Sequence, residues 1–81
     1  MSLLSADIWS IEQKLWAVRN GRCRTDISFD TGLAIGYMTA LRSHGIMSEC
    51  EYIRLDLLLH NAQYYAMLVV YDLEVQGWSE V

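Results

Sequence analysis

Apolar residues open the chain at a four-three-four-three spacing: Leu4, Ile8, Ile11, Leu15 and Val18. This is one continuous stripe of a helix. It predicts a first helix from Ser5 as N-cap, with Asp7 in the first turn where the helix dipole favours an anion, to Asn20-Gly21. Trp9 and Trp16 are seven apart and therefore lie together, roughly 130° round from that stripe at 100° per residue, among Glu12, Gln13 and Asn20. A second run, with Leu33, Tyr37, Ala40, Leu41 and His44 on one face, predicts a second helix capped by Ser28 or Asp30. Within it Gly32, Gly36 and Ala40 lie four apart, a spacing that suits either the close approach of another helix or plain packing. A third run keeps three-four spacing through Tyr52, Leu55, Leu59, Ala62, Ala66, Val69 and Leu73, with no proline and no glycine before Gly77. A single helix from 49 to about 75 is roughly 40 Å long.

The junction between the second and third runs is the most legible stretch. Gly45 follows an apolar-periodic run and suits the left-handed residue that ends a helix. Three residues on, Ser48 and Glu51 form S-x-x-E, whose two side chains satisfy each other's exposed backbone N–H groups. Met47 and Tyr52 flank that cap as a hydrophobic staple. These signals predict a helix–turn–helix and carry no chemistry.

Residues 22–29 read differently. Cys23, Thr25, Ile27 and Phe29 alternate with Arg22, Arg24, Asp26 and Ser28, a strand-like period of two that predicts an ordered loop or short strand. Val69, Tyr71, Leu73 and Val75 alternate likewise with polar neighbours and Val70. The leading expectation is an all-α, three-helix hairpin or bundle with a long C-terminal helix. The alternative is α+β, with a break near His60-Asn61 and a two-stranded ribbon from residues 22–29 and 69–75, which needs helices or a second copy to support it.

Neither a linker nor a repeat divides the 81 residues, so the whole chain, 1–81, reads as a single domain. So small a domain buries only about 60% of its unfolded surface. Yet 53% of the residues are apolar. The surplus points to a shared surface, and a homodimer built on the seam Tyr52, Leu55, Leu59, Ala62, Ala66 and Val69 is the expected sink. The net charge of −4 makes nucleic acid an unlikely partner, although Lys14, Arg19, Arg22 and Arg24 hold four of the six basic residues and Asp56, Asp72, Glu74 and Glu80 make the C-terminal half acidic. The longest apolar run, Tyr64 to Tyr71, is far shorter than the ~20 residues a bilayer needs. Met1-Ser2-Leu3-Leu4 lacks the basic start of a secretory leader, and Cys23 and Cys50 lack CxxC spacing. Reduced thiols in a cytoplasmic protein are expected.

Candidate chemistry is sparse. His44, His60, Cys23 and Cys50 lack the short paired spacings of metal sites. Neither a nucleophile elbow nor a phosphate loop nor HExxH is present. The reading is of a non-enzyme with no cofactor and no metal.

The segment Ala40–Leu55 has the pattern A-L-x-x-x-G-I-x-S-x-x-E-Y-x-x-L, carried by Gly45, Ile46, Ser48, Glu51, Tyr52 and Leu55. It resembles the helical hairpin of SHOCT modules and similar hairpins in small phage- or plasmid-encoded proteins. The resemblance covers about a fifth of the chain and implies an oligomerising or interaction element, with no catalytic residue to transfer. The expected function is accordingly a small cytoplasmic regulator or inhibitor of mobile-element type that binds an unidentified protein partner. Tryptophans are mostly buried, so Trp9 and Trp16 are expected to be covered by a second helix as ordinary core; the alternative makes them, with Arg19 as a charged rim, the candidate partner-binding residues. Two alternatives remain: a nucleic-acid-linked regulator using Arg19, Arg22 and Arg24 on phosphates, and an acidic mimic of nucleic acid.

Overall fold

The computed structural model describes residues 3–79, with side chains through residue 76. Among the described residues the fold is all-α: α1 (Ser5–Arg19), α2 (Arg24–Ser43) and α3 (Glu49–Ser79). Four residues join α1 to α2 and five join α2 to α3, so the helices run up, down and up, each packed on both others. At 31 residues α3 is about 46 Å long, and it gives the molecule its 55 × 18 × 17 Å extents.

The turn at residues 44–48 forms as the local chemistry demands. Gly45 takes φ 73°, where a Cβ would be strained. The Ile46 N–H donates to the Leu41 carbonyl at 2.9 Å and the Gly45 N–H to the Arg42 carbonyl at 3.0 Å, the paired bonds of a Schellman motif. The Glu51 N–H then donates to Ser48 Oγ at 3.1 Å while the Ser48 N–H donates to Glu51 Oε1 at 3.0 Å, closing the capping box. Those bonds favour the ionised carboxylate and hold Glu51 below the usual carboxylate range, the Ser48 N–H contributing most. Met47 is buried with Tyr52 against the same apolar cluster.

That cluster groups Ile11, Met38, Leu41 and Met47 near the turn, and a second groups Val18, Ile27, Ala34, Leu59, Ala66 and Val70. Leu15 packs against both and makes the core continuous. A polar seam runs alongside: the Tyr37 hydroxyl donates to Asp7 Oδ1 at 3.0 Å, and the Lys14 ammonium lies 4.3 Å over the Tyr37 ring.

Three expectations are corrected, for the N-cap of α1, residues 24–29 and the buried face of α2, and two open alternatives are decided, the ribbon and the glycine spacing. Leu4, not Ser5, is the N-cap of α1; its carbonyl accepts from the N–H groups of Asp7 and Ile8, both at 3.0 Å, so Ser5 is already inside the helix. Residues 24–29 are helix rather than loop or strand, because Ile27 begins a four-three-four-three stripe with Thr31, Ala34, Met38 and Leu41. The buried Thr31 hydroxyl is satisfied by donating to the Ile27 carbonyl at 2.7 Å. On this register Leu33, Ala40 and His44 are exposed and the expected α2 face survives only in Leu41 and half-buried Tyr37. Residues 69–75 continue α3, which removes the ribbon: five whole turns from Tyr52 return to Val70, so the inner stripe passes through Val70 and leaves Val69 exposed. Finally, nothing lies within 4 Å of a Cβ placed on Gly32 or Gly36, so no helix of the chain approaches them.

Candidate functional site

The seam expected to pair two copies is turned inward. Leu59 is 0% exposed, Ala66 is buried, and Tyr52, Leu55 and Ala62 pack half-buried against the clusters. Of the six residues Val69 alone is exposed, because α1 and α2 occupy the face the other five present. They serve this chain's own core, and of the five only Leu55 also borders an open groove.

The apolar surplus lies elsewhere, on the outside of all three helices. Trp9 and Trp16 are 63% and 67% exposed. On α1 they sit about 160° round from Ile11 and Val18, so neither α2 nor α3 covers them. Two turns apart, they form a row about 10 Å long. The expectation that a neighbouring helix buries them is overturned. Beside the row, α1 and α3 part to leave an open groove of about 180 Å³, lined by Leu3, Ile8, Leu15, Leu55 and Leu58, with buried Ile11 beneath and exposed Glu12 at its edge. Small-molecule pockets run from about 300 to 1,000 Å³. The groove suits one or two apolar side chains of a larger partner.

Arg19 does not stand free as the rim of this surface. Its guanidinium lies 4.6 Å over the Tyr65 ring, which meets Tyr64 edge-on at 5.7 Å. Arg24 sends two parallel hydrogen bonds of 3.1 Å to the Glu74 carboxylate. That pairing, chiefly its hydrogen bonds, raises the Arg24 pKa and lowers that of Glu74. Arg22 is exposed in the α1–α2 connection. The basic trio is therefore divided between two intramolecular contacts and one open position, and is not assembled into a phosphate-binding cluster. Of the acids, Glu74 is neutralised by Arg24, Asp56 lies 3.5 Å from His60, and Glu80 is outside the described residues.

Cys23 and Cys50 are free and exposed. No group of three or more His, Cys, Asp or Glu among the described residues is placed to hold a metal ion, and no helix among them is long and apolar enough to cross a membrane. Thr31 is the one buried polar residue among them, and its hydroxyl is bonded to its own helix.

Sequence reasoning found the tryptophans and missed the groove and the outer face of α3. The signal for both was Leu57-Leu58-Leu59: at 100° per residue three successive leucines cannot share one face. Leu59 enters the core, Leu58 lines the groove and Leu57 points outward, 62% exposed. No protein-family model, no curated protein and no solved structure matches this chain.

Proposed function

We propose that this protein is a helical interaction module that acts by binding another protein, as a regulator or inhibitor does, rather than by catalysis. The observation that carries the reading is the exposed Trp9/Trp16 row on α1. Leaving two indoles in water forfeits the large burial energy that aromatic rings normally contribute to a fold. Tryptophans at the centre of a protein interface recover it, and they are among the residues most enriched at interface hot spots. The adjoining groove offers a place for apolar side chains of the same partner, with Glu12 able to receive a cation at its edge. The likeness of residues 40–55 to SHOCT-type hairpins points the same way.

The engagement of Arg24 by Glu74 and of Arg19 by Tyr65 weighs against a nucleic-acid role, since each would have to be released before meeting a phosphate. Affinity capture tests the proposal with the immobilised chain and its Trp9→Ala/Trp16→Ala variant in parallel. A protein retained by the parent and lost by a variant of unchanged helical signal and melting temperature is the expected result. Equal retention by both, or by neither, removes the α1 surface from the account.

A further inference from the structure

α3 carries a second apolar stripe, on the side turned away from α1 and α2. Ile53, Leu57, Tyr64, Leu68 and Tyr71 are exposed along it, His60 fills the place between Leu57 and Tyr64, and Val75 continues the spacing. The steps from 53 to 75 are four-three-four and again four-three-four, two 11-residue repeats meeting at Tyr64. An 11-residue repeat stays on one face of an almost straight helix, and this one reads the same in both directions about residue 64. A helix apolar on two opposite sides is ordinarily covered on both. Here the chain covers one.

We propose that a second copy of this chain covers the other, the two α3 helices packing antiparallel with Tyr64 on the two-fold axis. Three observations carry this. The stripe is its own complement when reversed about Tyr64: Leu57 of one copy meets Tyr71 of the other, and His60 meets Leu68. An isologous interface requires that self-complementarity.

Charge supplies the direction. Arg54 and Asp72 are 18 residues apart, five full turns, so they stand on the same edge of the stripe. Antiparallel pairing brings like edges together. The midpoint of Arg54 and Asp72 is residue 63, one residue from the stripe's own centre, which places each Arg54 against Asp72 of the second copy, twice over. The ion pairs among the described residues are Arg24–Glu74 and Asp56–His60, so both Arg54 and Asp72 are available.

Area supplies the scale. The chain exposes 5841 Å², whereas a compact monomer of 9.3 kDa exposes about 5,000 Å². The surplus is close to the ~800 Å² that each partner loses in a standard interface. This pairing leaves the Trp9/Trp16 row on the far side of α1 open and does not depend on it.

Sedimentation equilibrium of the full chain tests the pairing. The parent should sediment at twice the 9.3 kDa chain mass at micromolar concentration, and Leu68→Glu at the chain mass with unchanged helical signal, Leu68 being 46% exposed and outside the core. Trp16→Ala should remain dimeric. Arg54→Glu should weaken the dimer about fivefold or more, and Arg54→Glu/Asp72→Arg should restore it. Orientation is read by disulfide trapping with Cys23 and Cys50 replaced by serine. A mixture of Leu57→Cys and Tyr71→Cys chains should crosslink between the two variants, and Leu57→Cys alone should not crosslink; this readout also decides the matter if Leu68→Glu fails to fold. A parent chain that stays monomeric at about 100 µM, a hundred times a micromolar Kd, a Leu68→Glu chain that stays dimeric, or Leu57–Leu57 crosslinking overturns the proposal.

Discussion

Arg24, the first residue of α2, grips Glu74 near the end of α3 through two 3.1 Å hydrogen bonds spanning fifty residues of sequence. α1 ends at Arg19, whose guanidinium lies over the Tyr65 ring, and the Arg24–Glu74 pair ties α3 to the start of α2 nine residues farther along α3. The pair is exposed, and exposed ion pairs add little to global stability. Its expected role is local. Glu74→Gln should lower the melting temperature only slightly while amide exchange quickens in residues 68–76, measured by hydrogen–deuterium exchange.

Acid should loosen the fold through two carboxylates. Glu51 and Glu74 are both held below the usual carboxylate range, by the Ser48 cap and by Arg24 respectively. A carboxyl whose folded pKa is depressed stabilises the fold fully above its unfolded pKa, about 4.3, and loses that contribution as pH falls through the lower folded value. Melting temperature should therefore fall below about pH 4, and Glu51→Gln/Glu74→Gln should be less stable than the parent at neutral pH and show a shallower fall. A parallel fall in parent and variant would show that other groups control the acid side.

The α2–α3 turn should be sensitive at two small residues. Ser48→Ala removes the acceptor for the Glu51 N–H and should cost about 1 kcal/mol. Gly45→Val forces a branched residue to φ 73° and should cost more, about 1–2 kcal/mol for the left-handed conformation before any effect of branching. Urea melts of both variants check the order.

Ile27 and Phe29 mark where the sequence misled and why. In a strand they share a face; in a helix two positions apart is 200°, and Ile27 is 0% exposed while Phe29 lies on the surface. Over residues 22–29 the apolar positions fit a period of two, and only Thr31, Ala34 and Met38 farther on, in three-four step with Ile27, reveal the helix. Two of those are small or polar, so the stripe was faint. Ile27→Ala should cost about 2–5 kcal/mol and Phe29→Ala less than about 0.5 kcal/mol, by urea denaturation. The turn at Gly45, Ser48 and Glu51 was legible because capping is decided by neighbours in sequence. The inner face of α3 was legible as a stripe, but which stripe faced inward was set by α1 and α2, and the outer stripe of Ile53, Leu57 and Leu68 competed with it on equal apolar terms.

The proposed role of Trp9 and Trp16 in holding a partner requires that they contribute little to the core. The most direct measurement is the unfolding free energy of Trp9→Ala/Trp16→Ala, followed in a Trp78→Phe background together with iodide quenching of the two indoles before their removal. Strong quenching and a loss within about 0.5 kcal/mol per site, as for surface substitutions, are the expected result. Weak quenching with a loss of about 3–5 kcal/mol per site, the signature of a truncated core aromatic, would contradict it.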